Sequence, residues 1–311
     1  MNTSVSLCAA LLLLLLLARA TPSVAFSGRR LRIIGGSIAD KKDKKSEYGS
    51  YVLISMGDEI CGGTLIGKKR NLVITAAHCV VDADTKKAID PKVMTVSKGA
   101  NLKLKDDDIL VAENAQGTAW VKKIFPHPKY GTYSNPNDIF DDIAILLLNT
   151  TLPGPVATLA KPGASAKLPD GTNMTVVGFG FNNFYPLQPF GKKGFQPYFS
   201  PTLYNLTLSL GQISKEPCDF DGLDNKKQLC LVGNKVAFPF PNEDGEIEKT
   251  VGYQSSCKGD SGGPLYYEGV QYGLVSYGHG LCTEFKVQES VFTKISSYRK
   301  SFIDPIVKRY S

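Results

Sequence analysis

The chain has 311 residues, of which 42% are hydrophobic and 21% charged, and a formal net charge of +7. It is long enough to bury a sizeable core, and no segment is polar enough in composition to read as disordered. Arg19, Arg29, Arg30 and Arg32 precede residue 33 and no acid does, so from Ile33 onward the 36 basic residues fall to 32 against 29 acids. The remaining net charge of +3 removes the compositional case for a nucleic-acid partner.

Residues 1–20 read as a secretory signal peptide. Leu11 to Leu17 are an unbroken leucine run followed by Ala18-Arg19-Ala20, a small-x-small cleavage pattern, although no positive charge precedes the run. Residues 21–32 form a propeptide whose end, Arg29-Arg30-Leu31-Arg32, reads as a processing site for a basic-specific protease. A membrane-spanning helix needs about 20 apolar residues, and nothing later approaches that. The expectation is a secreted, extracellular protein with no membrane contact once the signal is cut.

Asp40 to Lys45 is charged at every position with both signs, the pattern of a solvated loop. Short β-rich runs follow at Tyr51–Ser55, Asn71–Thr75, Val93–Ser97, Trp120–Phe125, Ile143–Leu148, Thr175–Gly178, Leu206–Leu210, Val270–Ser276 and Ser290–Lys294. Separated by Gly, Pro and Asn, they predict an all-β sandwich or barrel. Phe181–Pro201 and Val232–Gln254 read as long surface loops, the first rich in aromatics that fit either a protein partner or packing on the barrel. Apolar residues at Ile295, Tyr298, Phe302, Ile306 and Val307 predict a C-terminal amphipathic helix, bent at Pro305. No repeat of fixed period is visible.

Cys8 lies in the signal peptide, leaving Cys61, Cys79, Cys218, Cys230, Cys257 and Cys282. An even set in a secreted chain predicts disulfides, but six cysteines allow fifteen pairings. With no CxxC pair and three histidines in all, zinc is a poor fit. Asp106-Asp107-Asp108 with Glu113 does not have the spacing of a calcium loop. No metal or other cofactor is expected. His127, in "FPHPKY", reads as a surface turn residue.

Three patterns carry chemistry. "LVITAAHCV" puts His78 at the end of a strand-like run, "FDDIAILLL" puts Asp142 directly before another, and "GDSGGPL" puts Ser261 in a glycine-rich turn. A serine hydroxyl is a poor nucleophile until a base takes its proton. Imidazole is neutral near pH 7 and can take it, and a buried carboxylate fixes its tautomer and stabilises the imidazolium. Asp138 and Asp141 are alternatives for the acid on residue type alone. The N–H groups of Gly259 and Ser261 are the expected oxyanion donors, and losing one such donor costs about 3–4 kcal/mol.

With these motifs in the order His, Asp, Ser, the chain resembles the trypsin/chymotrypsin family of serine proteases from residue 33 to its end. "RIIGG" (32–36) resembles the family's activation site, "CGGTLI" (61–66) and "TAAHC" (75–79) its first disulfide and its histidine. "GFG" (178–180) resembles its Gly-Trp-Gly turn and "SYG" (276–278) its substrate-binding strand. The resemblance implies two six-stranded antiparallel β-barrels, roughly 33–155 and 156–292, with a C-terminal α-helix. It implies His78 as general base, Asp142 as its orienting acid and Ser261 as nucleophile, and the pairings Cys61–Cys79, Cys218–Cys230 and Cys257–Cys282. A zymogen is implied too: a cut after Arg32 frees the amino group of Ile33 to pair with Asp260.

The resemblance places a pocket against Ser255, Ser276, Gly278 and Ser290. Members that cut after Lys or Arg have an acid where this chain has Ser255, so the expectation is a chymotrypsin-like preference for large apolar or aromatic residues. Ser290, where such members have glycine, narrows the pocket. The partners implied are protein or peptide substrates, protein protease inhibitors and an activating protease. Asn149, Asn173 and Asn205 head Asn-x-Thr sequons. The rival reading is a protease-shaped binding or inhibitory protein; retention of all three triad residues argues for the enzyme.

Overall fold

Runs of Val, Ile, Leu and Thr between turn-forming residues become strands here because their inward side chains fill the interior of a closed barrel. The structure is a computed structural model that describes residues 37–39, 47–57, 59–105, 109–131, 139–180, 202–212, 215–219, 222–241, 247–278 and 289–311. All of these belong to the unit Leu31–Ser311. Twelve strands make the two barrels. The first has β1 (Tyr51–Met56), β2 (Glu59–Ile66), β3 (Leu72–Thr75), β4 (Thr95–Lys98), β5 (Gly117–Pro126) and β6 (Ala144–Leu148). The second has β7 (Asn173–Gly178), β8 (Tyr204–Leu210), β9 (Gln228–Gly233), β10 (Pro264–Tyr267), β11 (Val270–Gly278) and β12 (Glu289–Lys294).

Pairing in the first barrel runs β1-β2-β3-β6-β5-β4 and closes from β4 to β1. In the second it runs β7-β8-β9-β12-β11-β10 and closes from β10 to β7. Every one of these pairings is antiparallel. The order is the same, and closure leaves no open sheet edge.

Strand alternation explains the packing. On β1, Val52 and Ile54 enter the first barrel's interior beside Leu65, Val73, Val96 and Leu146. Tyr51 and Leu53, on the other face, meet Val177, Phe179 and Tyr266 of the second barrel. Val176, one residue before Val177, points into the second barrel's own core with Leu206, Leu231 and Phe292. Both faces of these strands are thus buried, which is why they read as continuous apolar runs. Truncating a fully buried leucine such as Leu65 to alanine is expected to cost about 2–5 kcal/mol.

The expected strands are present with ends shifted by up to three residues. Three barrel strands were not anticipated as strands: β2 holds the disulfide motif, β9 begins with the polar Gln228, and β10 opens on a proline. The stretch 232–254 is not a loop: Lys235–Pro241 and Ile247–Tyr253 form an antiparallel hairpin separate from both barrels. Its prolines and acids hide the alternation. Phe181–Pro201 lies outside the described residues, as do residues 1–36, with the expected signal and propeptide, and the charged run at 40–45.

The C-terminal helix forms as two α-helical segments, α1 (Ile295–Tyr298) and α2 (Asp304–Tyr310), joined by a wider π turn over Arg299–Ile303. Pro305 cannot donate and its ring crowds the preceding turn, so the helix accommodates it by widening just before it. Tyr298, Phe302 and Ile303 seat the helix on Ile66, Leu72 and Ile145 of the first barrel. No described helix is long and apolar enough to cross a membrane.

Candidate active site

Strand register brings the candidate histidine and acid together. β3 ends at Thr75, which pairs with Ala144 at the start of β6. The chain beyond Thr75 and the chain before Ala144 therefore leave the same end of the barrel side by side. Three residues on in one and two residues back in the other stand His78 and Asp142. His78 Nδ1 lies 2.8 Å from Asp142 Oδ2, and the His78 backbone N–H donates to Asp142 Oδ1 at 2.8 Å.

Asp142 is wholly buried. The second barrel holds it as well: the Ser276 hydroxyl donates to Oδ2 at 2.6 Å, and the Thr293 hydroxyl donates to its carbonyl at 2.8 Å. Burial pushes the Asp142 pKa up, but the His78 charge and the hydrogen bonds from His78 and Ser276 outweigh it and hold the carboxylate below its ordinary range. For His78 burial works downward, and the Asp142 charge and hydrogen bond, with Glu59, raise the imidazole pKa above its usual value. The two shifts agree in describing a paired carboxylate and imidazole.

Ser261 sits in the turn before β10, and both barrels fix it. Gly62 N–H of β2 donates to the Ser261 carbonyl at 2.7 Å. Gly62 follows Cys61, which is bonded to Cys79, the neighbour of His78. Gly262 N–H donates to the Val275 carbonyl at 2.8 Å, directly before Ser276. A Cβ on Gly262 would fall 2.1 Å from Thr75 Oγ1 and 2.9 Å from Ala76 N, so only glycine lets this turn lie against the histidine's own segment. Its φ of 72° asks for glycine too.

Donors within the turn divide cleanly. The N–H groups of Asp260, Gly262 and Gly263 donate to the carbonyls of Cys257, Val275 and Asp260. Those of Gly259 and Ser261 have no hydrogen-bond partner among the described residues. Gly259 adopts φ 93°, in the glycine-favouring left-handed region. Two unspent donors flanking a hydroxyl-bearing turn are a site for an oxygen that gains negative charge.

Asp260 points away from solvent and is fully buried. Its oxygens accept from Gly180 N–H at 2.8 Å and Cys257 N–H at 2.9 Å. Cβ atoms on Gly178 or Gly180 would come within 2.0–2.3 Å of the carboxylate oxygens, which accounts for both glycines of "GFG". Desolvation pushes the Asp260 pKa up to about 6, with the two backbone N–H groups opposing it. Arg32 and Ile33 lie outside the described residues.

The expected pocket residues converge beside the turn. Ser255 is buried, and Ser276 and Gly278 lie on β11, where Gly278 pairs with Ser290 of β12. The Ser290 hydroxyl is turned to Ser256, accepting from its Oγ at 3.0 Å and its N–H at 3.3 Å.

Cys61–Cys79 and Cys218–Cys230 are bonded as expected. Cys257 is disulfide-bonded as well, while Cys282 lies outside the described residues. Asn149 is exposed at the end of β6, Asn173 is exposed on β7, and Asn205 on β8 accepts from the Ser37 hydroxyl at 2.9 Å. The one cluster of three metal-ligand atoms among the described residues is Cys61, His78 and Cys79, two of which are spent in a disulfide. His127 does start a turn, accepting from Tyr130 N–H, but its ring is packed against Tyr298 and Phe302 rather than solvent. Of the acids weighed from sequence, Asp138 lies outside the described residues. Asp141 turns to Lys227 and Tyr298. Sequence reading gave Ser276 only a substrate-binding part and missed its bond to Asp142, because a hydroxyl on a strand carries no motif.

Comparison with known proteins agrees with this geometry. The trypsin family model matches residues 33–189 and 234–302, more than half the chain. A chymotrypsin from Phaedon cochleariae is 30% identical over 263 residues, covering 81% of this chain and 74% of its own. A chymase from Papio hamadryas is 33% identical over 273 residues, covering 86% and 87%. Mast cell protease 2 from Ovis aries is 32% identical over 284 residues, covering 89% and 91%. Among solved structures, human heparin binding protein superposes with a TM-score of 0.58 at 19% identity, over 90% of this chain and 98% of its own, a likeness of fold. The chain belongs to the trypsin family, and it is a serine endopeptidase built on two six-stranded barrels and a C-terminal helix.

Proposed function

We propose that the protein is a secreted endopeptidase, made as a zymogen, that cuts after large apolar or aromatic residues through an acyl-enzyme on Ser261. One observation carries the reading: Gly259 and Ser261 keep their N–H groups unspent while every other N–H from Asp260 to Gly263 is used, beside an imidazole held by a buried carboxylate. His78 takes the Ser261 hydroxyl proton as Oγ attacks the scissile carbonyl. The carbonyl electron pair moves onto oxygen and is met by the two N–H groups. Asp142 steadies the imidazolium, which then gives its proton to the leaving amine. Water repeats the sequence on the acyl-enzyme with His78 again as base, releasing the acid and restoring Ser261.

Activation is assigned to cleavage after Arg32, with the freed Ile33 amino group supplying the cation for Asp260. A buried carboxylate whose pKa is pushed to about 6 gains most from such a partner. The test is to sequence the N-terminus of the secreted protein and treat it with a fluorophosphonate probe. Labelling of Ser261 only once Ile33 is the first residue is the expected result. A processed protein that resists labelling overturns the catalytic reading in favour of a binding protein.

A cationic side chain in a pocket floored by Ser255 would be desolvated without a partner, so apolar residues are favoured. The Ser290 hydroxyl accepts from Ser256 and adds bulk to the pocket wall. Peptides varied at the residue before the cut should be hydrolysed fastest at Leu, Met or Phe, and Ser255→Asp should bring in Arg and Lys. Faster wild-type cleavage after Arg than after Phe or Leu would sink the pocket assignment.

The three sequons are proposed glycosylation sites. Asn149 is exposed, with its side-chain oxygen accepting from Trp120 N–H. Peptide mapping of protein from a eukaryotic host should find Asn149 modified; finding it bare removes that assignment.

A further inference from the structure

The acid-bearing segment presents two adjacent carboxylates, and the reaction above uses one. Asp141 is almost as buried as Asp142 but faces the other way. Its Oδ2 is 3.0 Å from Lys227 Nζ, which directly precedes β9 of the second barrel, and its Oδ1 accepts from the Tyr298 hydroxyl of α1 at 3.0 Å. His127 also faces it, with Nδ1 3.8 Å from Oδ1. That ring nitrogen accepts from Lys129 N–H at 3.4 Å, and burial lowers the His127 pKa against the pull of Asp141, with Lys227 and Lys129 adding to the lowering. Lys227 is thus the cation that meets Asp141 among the described residues.

The backbone makes the opposed directions workable. Asp141 has φ 56°, in the left-handed region that non-glycine residues rarely adopt, and Ile143 N–H closes back onto its carbonyl at 2.8 Å. Gln228, next to Lys227, donates to the Ile139 carbonyl at 3.0 Å. Residues 139–141 are therefore held from one side by Lys227, Gln228 and Tyr298, while Asp142 is held from the other by His78 and Ser276. A short segment tied on both faces cannot rotate about its own axis, and that rotation sets the angle at which the Asp142 carboxylate meets the imidazole.

We infer that Asp141 is a positioning residue, whose ion pair with Lys227 and hydrogen bond from Tyr298 clamp the Asp142 segment of the first barrel to the second barrel and the helix. The inference rests on the catalytic reading above. Its test uses Asp141→Gly, which tolerates the positive φ, Asp141→Asn, which keeps a hydrogen-bonding oxygen, and Lys227→Met. Each is measured on processed protein for kcat, KM and thermal stability, and by NMR titration of His78, one of three histidines in the chain.

Asp141→Gly should lower kcat about 10- to 100-fold with KM within about twofold, as misaligned catalytic groups do. Asp141→Asn should recover part of that loss. The His78 pKa should fall in both Asp141→Gly and Lys227→Met, because a loosened Asp142 no longer raises it fully. Lys227→Met is the discriminating variant: if the cluster acts only through its charge, removing a cation raises the His78 pKa. A rise there, or wild-type kcat and His78 titration in a folded Asp141→Gly protein, overturns the inference. NMR also separates the two claims. A wild type without turnover whose His78 pKa still falls on Lys227→Met removes the catalytic reading and leaves the clamp standing.

Discussion

In the first barrel, the third and sixth strands end side by side, and His78 and Asp142 stand just beyond them. In the second barrel, the equivalent third strand, β9, runs instead into the hairpin Lys235–Tyr253. The fourth strands differ in the same way: a short helical turn, Pro91–Val93, leads into β4, whereas the turn bearing Ser261 leads into β10. Two barrels with one strand order thus carry different chemistry, because the order fixes where chain ends emerge and the connections decide what emerges there. The first barrel supplies the bonded His78–Asp142 pair, and the second supplies Ser261, the two unspent N–H donors and the strands of the proposed pocket. Neither holds a site alone, since Gly62 grips Ser261 and Ser276 grips Asp142 across the boundary.

That division can be broken from either side. Ser261→Ala and His78→Ala lie in different barrels, yet each should lower kcat by about 10⁶-fold, and the double variant should be little worse, because the residues act as a unit. Single-turnover measurements check this; additive losses would mean that the halves contribute independently.

Asp260 offers the next largest effect, on stability. Burial raises its folded pKa from 3.8 to about 6. A raised acid contributes stability that is fully present below the unfolded pKa and is lost as pH rises through the folded one. Protein left uncut at Arg32 should therefore lose about 3 kcal/mol between roughly pH 4 and pH 6. Urea unfolding across that window should show the loss in wild type and a flat profile in Asp260→Asn. Release of Ile33 should remove the loss; if it does not, the amino group is not the partner of Asp260.

Across the boundary, Ser276→Ala removes one hydrogen bond to a buried carboxylate and should cost about tenfold in kcat/KM. A change below twofold would mean that the first barrel orients Asp142 unaided. The smallest effect is a shift. Because Asp142 raises the His78 pKa, the acid limb of kcat/KM should have its midpoint above the ordinary value of 6.5, with activity rising as the imidazole loses its proton. Asp142→Asn should bring that midpoint down.

Much of this was legible in the sequence, for reasons that differ by residue. His78, Asp142 and Ser261 sit in short local patterns whose spacing is set by strand ends and a tight turn, and such patterns survive in one dimension. The nine anticipated strands were visible because β-branched and other apolar residues fill them, on both faces in β1 and by alternation in strands such as β8. β10 was not, since Pro264 masks its start, and the hairpin at 235–253 was not, since prolines interrupt its alternation. The bonds that Ser276, Thr293, Lys227 and Gln228 make to this segment left no trace. Each reaches Asp142 or its segment from 86 to 151 residues away, and only barrel closure brings them near. The repeated strand order was equally invisible, because unequal connections destroy any fixed period.

One feature of the second barrel bears on how such a molecule can be altered. The hairpin Lys235–Tyr253 enters and leaves at a single point, where Gln254 N–H donates to the Asn234 carbonyl at 3.0 Å. A Cβ on Gly233 would fall 1.6 Å from the Gln254 carbonyl oxygen, so entry and exit strands lie in direct contact. The hairpin is therefore a cassette on a fixed socket, whose Gln254 directly precedes Ser255, the residue proposed for the pocket floor. Its length and sequence can drift, or be exchanged by design, without asking any strand of the barrel to change its neighbour.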